Sequence, residues 1–180
     1  MPAPGKAWWH SQCSTYCAWL PGDDRGFRSK DHDLHSSGDY RHPPPPEEHE
    51  GLRDYHKKRH PNPVDVPREL RLKVATKIAE SLIAAGHRVL VVAVSKRHAH
   101  VVSELPIDER AYNKAIGKAK SDSSRSIRKQ LPGRVWQRDD RHDRLGDRAY
   151  QHNAYTYLRD KQGPTAAVWC LDGLRREAKR

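Results

Sequence analysis

The chain has 180 residues, with 34 Lys+Arg against 23 Asp+Glu, which gives a net charge of +11 with neutral histidines and a pI near 9.8. Only 35% of it is hydrophobic, with one Phe and one Met, against a usual apolar share of roughly 45–50%, so the length allows one small core and leaves part of the chain outside it. No run approaches the roughly 18–20 apolar residues of a membrane helix. An odd count of three cysteines (Cys13, Cys17, Cys170), with no export signal before them, speaks against a disulfide framework. The expectation is a soluble, cytoplasmic protein with reduced thiols and no membrane contact, whose surplus cations suit a polyanionic partner, nucleic acid first.

In chain order, Trp8 to Leu20 (WWHSQCSTYCAWL) is rich in β-formers and alternates, which predicts a first strand ending at Pro21-Gly22. Residues 21–65 hold six histidines, the run Pro43 to Pro46 and almost no aliphatic side chains, so they read as a long irregular insertion. Spacings such as His32-x-x-His35 lack a periodic frame, and a solvated loop is the simpler reading. Pro67 then suits a helix start, Leu70, Val74, Ile78 and Leu82 recur every four residues, and Gly86 sits where a C-terminal cap belongs. Val89 to Val94 (VLVVAV) is a buried strand, and after Ser95-Lys96-Arg97 the run HAHVVSEL, closed by Pro106, pairs back as a hairpin.

A second helix opens at the N-cap Asp108 and runs to about Gln130, with Tyr112, Ile116, Ala119 and Ile127 on its inner stripe. Arg134-Val135-Trp136 reads as a short strand and Gln137 to Gly146 as a charged loop. Asp147 to about Gln162 (DRAYQHNAYTYLRDKQ) is a third helix stopped by Gly163-Pro164, and Ala166 to Cys170 returns as a strand or packs as a tail. The whole is one α+β domain, a ferredoxin-like or RRM-like antiparallel sheet with packed helices and a C-terminal tyrosine-bearing helix. Fold alone chooses no function.

His98 and His100 are the most informative residues. Two positions apart on a strand, their side chains share a face about 6–7 Å apart, so both imidazoles can reach one metal ion. An exposed histidine pair at a strand start is the competing reading. Imidazole ligands alone would suit Mn²⁺ or Zn²⁺ better than Mg²⁺.

His98-Ala99-His100, followed by Val101-Val102 and Pro106, resembles the HUH motif of the single-tyrosine DNA transposases called IS-two-hundred-like, relatives of the REP-associated tyrosine transposases. The segments WHSQCSTYCAWLPGD, HRVLVVAVSKRHAHVVSELP, IGKAKSDSSRSIRKQLPGRVW and DRAYQHNAYTYL are similar to that family's segments, in order and over most of the chain. The resemblance implies that His98 and His100 hold a divalent cation, Mg²⁺ or Mn²⁺. It also implies that a tyrosine on the late helix attacks phosphorus of single-stranded, hairpin-ended DNA, giving a 5′-phosphotyrosyl link and a free 3′-OH. A phenol with a pKa of about 10 needs such help to act as a nucleophile.

Tyr155 and Tyr157 point to opposite sides of a helix, so only one faces the metal, while Tyr150 shares a stripe with Tyr157. The family pattern, with a small apolar residue after the nucleophile, selects Tyr157, which Leu158 follows; Tyr155 is the runner-up. Many relatives carry a third ligand, Gln or His, four residues after the nucleophile. Here that position is Lys161, and Gln162 comes one later. A register shift near the helix end, a ligand from elsewhere such as Glu104, or lost activity would each account for the departure.

For DNA contacts, Lys114, Lys118, Lys120, Arg125 and Arg128 on the second helix, with Arg134 and Arg138 beyond it, could track phosphates, and Trp136 could stack on an unpaired base. Relatives of this kind often act as homodimers. Two other classes compete: a catalytically decayed, domesticated DNA-binding protein, and a zinc-stapled RNA binder using Cys13, Cys17, His98 and His100.

Overall fold

A computed structural model describes residues 1–23, 26, 35–37, 42, 44, 45, 47–60 and 62–179. His32 and several of the insertion's prolines lie outside them. The chain divides into two units, Met1–Thr15 with Asp65–Arg180, and Tyr16–Val64.

In the larger unit, β-branched and aromatic runs make the strands β1 (Lys6–Thr15), β2 (Val89–Val94), β3 (His98–Pro106), β4 (Trp136–Arg144), β5 (Ala167–Cys170) and β6 (Arg175–Arg176). They form one antiparallel sheet in the order β4-β1-β3-β2-β5-β6. The helices α2 (Arg68–Ala84) and α3 (Glu109–Ile127) connect β1 to β2 and β3 to β4. Strand order 4-1-3-2 with those two crossovers is the split βαβ pattern expected of a ferredoxin-like α+β sandwich. After β4 comes α4 (Arg148–Thr156), whose last turn, Tyr157–Lys161, is π-helical.

The period-2 alternation of β1 and β3 sends alternate residues to opposite faces. One face carries Cys13, Val92, Val94, Ala99, Val101 and Leu105 against the stripes of α2 and α3, which include Leu70, Val74, Ile78, Leu82, Tyr112, Ile116, Ala119 and Ile127. On the other, Trp8, Val91, Ala93, Val102, Val168 and Cys170 pack under Leu158, Ala154 and Tyr155 of the late helix. The caps follow the sequence: Gly86 after α2 takes φ +79, a left-handed conformation that costs a glycine little, and the Asp108 and Asp147 carboxylates accept from Ala111 N and Tyr150 N.

Two boundaries differ from expectation. β1 stops at Thr15, well before Pro21, because Cys17 adopts φ 60, which no strand accommodates. Gln137 to Gly146 is no loop: most of it belongs to β4, which lies antiparallel to β1 with Cys13 opposite Asp140 and His10 opposite Asp143. Apolar alternation is missing there because the inward-facing Asp140 and His142 are met by polar partners on the facing elements instead of hydrocarbon.

The smaller unit contains a helix that the composition does not announce, α1 (Glu50–Arg59), which buries none of its residues. Its basic last turn sits well at a helix C-terminus.

Candidate functional site

The register of β1 and β3 builds the site. Gln12 lies opposite His100, Ser14 opposite His98 and His10 opposite Val102, so His10, Gln12, Ser14, His98 and His100 all emerge on the face that carries the late helix. The rings of His98 and His100 stand edge to face with centroids 4.9 Å apart, and that of His10 lies 5.1 Å from His100. His10 Nε2 and His100 Nδ1 are 3.0 Å apart, a hydrogen bond. Asp143, opposite His10 on β4, accepts from Gln12 at 3.5 Å and pairs with the exposed Arg141.

These imidazoles are held neutral. Burial lowers the pKa of His98, and burial, reinforced by His98 and His10, brings His100 down to about 3. His10 is lowered by burial, against the pull of Asp143. Neutral imidazole is the form that ligates a cation, and the His98 ring has no hydrogen-bond partner among the described residues. The donor chemistry of His98 and His100 thus fits a divalent ion in part: two nitrogens, with no third His, Cys, Asp or Glu among the described residues completing a cluster.

Glu104 shares the histidines' face but is only 2% exposed and is held by Arg88 in a two-pronged pair at 2.8 and 2.6 Å, while it also accepts from Ala3 N. This corrects the expectation that it could serve as a ligand. The zinc staple is overturned by the pleat: Cys13, opposite Ala99, points to the face away from His98 and His100 and lies buried against α3.

The two tyrosines separate clearly. Tyr155 packs on the core, and its hydroxyl donates to Asp172 at 2.8 Å; burial and that bond raise its pKa. Asp172 follows β5, so Tyr155 occupies the β5 flank of the helix. Two residues further, a rotation of about 200° turns Tyr157 away from the side of the helix that Tyr155 occupies. Tyr157 is 51% exposed, and its hydroxyl has no hydrogen-bond partner among the described residues. Tyr150 is 49% exposed. Tyr157–Lys161 is a π turn, and Gln162 follows it as the C-cap in extended backbone. Lys161 is exposed.

The cations foreseen as DNA contacts are not one surface. Lys120 is buried and bonded to Asp140 at 2.5 Å, and Trp136 is buried with its indole N–H donating to Ser123 at 3.0 Å. Neither can meet a phosphate or a base without leaving the core, which corrects both expectations. Lys118 and Arg125 share Asp122 at 2.6 and 3.3 Å, while Lys114, Arg128 and Arg134 are exposed. All the α3 cations belong to the helix pair behind the sheet, opposite the histidines.

His10, Gln12 and Asp143 were not foreseen. Alternation within WHSQC puts His10 and Gln12 on one face, but only the pairing register shows that it is the face of His98 and His100. No helix among the described residues is long and apolar enough to cross a membrane. No protein-family model, no curated protein and no solved structure matches this chain.

Proposed function

We propose that this chain is an HUH-type single-tyrosine transposase that nicks and rejoins single-stranded, hairpin-ended DNA. One juxtaposition carries the reading: a same-face pair of neutral imidazoles on β3, beside a helix whose Tyr157 hydroxyl is accessible and unengaged. The resemblance of the four quoted segments supports it.

His98 and His100 would hold a Mg²⁺ or Mn²⁺ ion, with Gln162 as the third protein ligand in place of Lys161. When bound, such an ion draws charge from the scissile phosphate. Tyr157 Oη forms the new bond to phosphorus and gives up its proton, while the bond to the 3′-oxygen breaks and that oxygen leaves as a hydroxyl. The energy of the cleaved ester is kept in the phosphotyrosyl bond, so rejoining needs neither water nor ATP. Tyr155 stays out of the chemistry because its hydroxyl is committed to Asp172.

The test is a denaturing gel for a covalent adduct with hairpin oligonucleotides in Mn²⁺. Adduct is expected from the intact protein, with none from Tyr157→Phe or His98→Ala and near-normal amounts from Tyr155→Phe. No adduct from the intact protein would overturn the reading. Mixing Tyr157→Phe with His98→Ala protein restores adduct if two copies share their active sites as a homodimer.

A second reading, a DNA-binding relative without catalysis, draws on Lys161, whose ammonium stands where the family pattern carries its third ligand. Hairpin binding indifferent to chelator and to His98→Ala, with no adduct, would select it.

A further inference from the structure

We infer that His10 is a positioning residue for His100: it accepts the Nδ1–H of His100 and so leaves the Nε2 lone pair of that imidazole available for a divalent cation. The metal half of this inference rests on the function proposed above; the hydrogen bond does not.

The argument begins with the 3.0 Å contact between His10 Nε2 and His100 Nδ1. Two neutral imidazoles that meet nitrogen to nitrogen must divide the roles of donor and acceptor. If His10 donated, the single proton of His100 would sit on Nε2 and block ligation there. If His100 donates, its proton is parked on Nδ1 and Nε2 is bare. Histidine ligands generally use their second nitrogen in this way, to a carboxylate or carbonyl that fixes tautomer and ring angle. Here a second imidazole takes that part.

The fold makes the contact a fixed one. His10 and His100 project from neighbouring strands on the same face, with the register set by nine pairs from Lys6–Pro106 to Ser14–His98. On its far side His10 faces Asp143 of β4, across the other ladder of β1. Accepting at Nε2 requires His10 to carry its own proton on Nδ1, the nitrogen that the contact with His100 leaves unused. Direct ligation by His10 would need the three imidazoles to converge, and no such group of three forms among the described residues.

Two measurements test this. The first is the tautomer of His100 in the metal-free protein, read from ¹⁵N–¹H two-bond NMR correlations. Nδ1–H is expected in the intact protein and in His10→Gln, whose amide oxygen can accept, whereas His10→Ala should relax toward Nε2–H with the fold unchanged by circular dichroism. The second is Mn²⁺ affinity by electron paramagnetic resonance: His10→Ala should weaken it by about 10–100-fold, His10→Gln should recover most of that, and His98→Ala should lose more.

An unchanged tautomer and affinity in His10→Ala would overturn the inference, as would a loss equal to that of His98→Ala, which would make His10 a ligand. If the intact protein takes up no Mn²⁺, the proposed function fails, and the tautomer measurement still decides the role of His10.

Discussion

Tyr155 and Tyr157 differ by two positions and by everything that matters for a nucleophile. The phenol of Tyr155 spends its proton on Asp172, so Tyr155→Phe should cost about 0.5–1.5 kcal/mol in urea unfolding, the usual worth of one hydrogen bond; Tyr157→Phe, which loses no bond, should leave stability unchanged. Glu104 makes a second prediction. Held by Arg88 and by Ala3 N, its carboxyl is brought from 4.5 to about 2. A carboxylate depressed in the fold stabilises above its unfolded pKa and stops doing so as pH falls through its folded one, so, with the solvent around Arg88 screening the pair, on the order of 1–2 kcal/mol should drain away between pH 4.5 and 2. Denaturant midpoints against pH should show that loss, and Glu104→Gln should flatten it. His98 and His100 could be read from alternation along a single strand. Glu104, Lys120 and Trp136 could not, because the partners that bury them, Arg88, Asp140 and Ser123, are 16, 20 and 13 positions away and reach them only through the sheet and α3.

Among the elements, β4 departs furthest from its sequence. WQRDDRHDR has no apolar face, yet it is an edge strand pinned to α3 by charge and hydrogen bonds: Lys120 meets Asp140, and the Tyr112 hydroxyl bridges Ser11 and His142. Burial holds His142 neutral, with a pKa of about 4. Both members of the Lys120–Asp140 pair are at least nine-tenths buried, so Lys120→Met, which strips a sequestered carboxylate of its ammonium, should destabilise by about 3–5 kcal/mol. Lys120→Met combined with Asp140→Leu should regain more than half of that in chemical denaturation, since paired removal leaves no buried charge. Helices α2 and α3 and the β2–β3 hairpin were legible because hydrocarbon repeats at 3.6 or 2 residues. β4 was illegible because ion pairing replaced hydrocarbon, and α1 because a helix with no buried face carries no apolar period.

At the scale of the molecule, charge is distributed differently from the expectation that placed nucleic acid along α3. The exposed α3 cations lie behind the sheet, whereas the exposed Arg141 shares the histidines' face and the exposed Arg148 opens the late helix. Lys114→Glu with Arg128→Glu should therefore shift hairpin affinity by less than about threefold, while Arg141→Ala with Arg148→Ala should lower it and reduce the salt slope by roughly one to two; filter binding at several salt concentrations reads both. The insertion was recognisable by composition alone, and its closure is local: Val64 N donates to Tyr16 O at 2.9 Å, and the flanking Thr15 and Val66 are each tied to the β2–β3 turn by 2.8 Å bonds to Arg97 O and Lys96 O. The three buried thiols give the division into two units a practical use. Cys13 and Cys170 belong to the larger unit and Cys17 to the smaller, and burial pushes the thiols of Cys13 and Cys170 up, the latter to about 11. A neutral, buried sulfur reacts with an alkylating reagent only while its surroundings are open. Mass-spectrometric alkylation rates at these three positions thus time the breathing of each unit separately, with clocks already built into the chain.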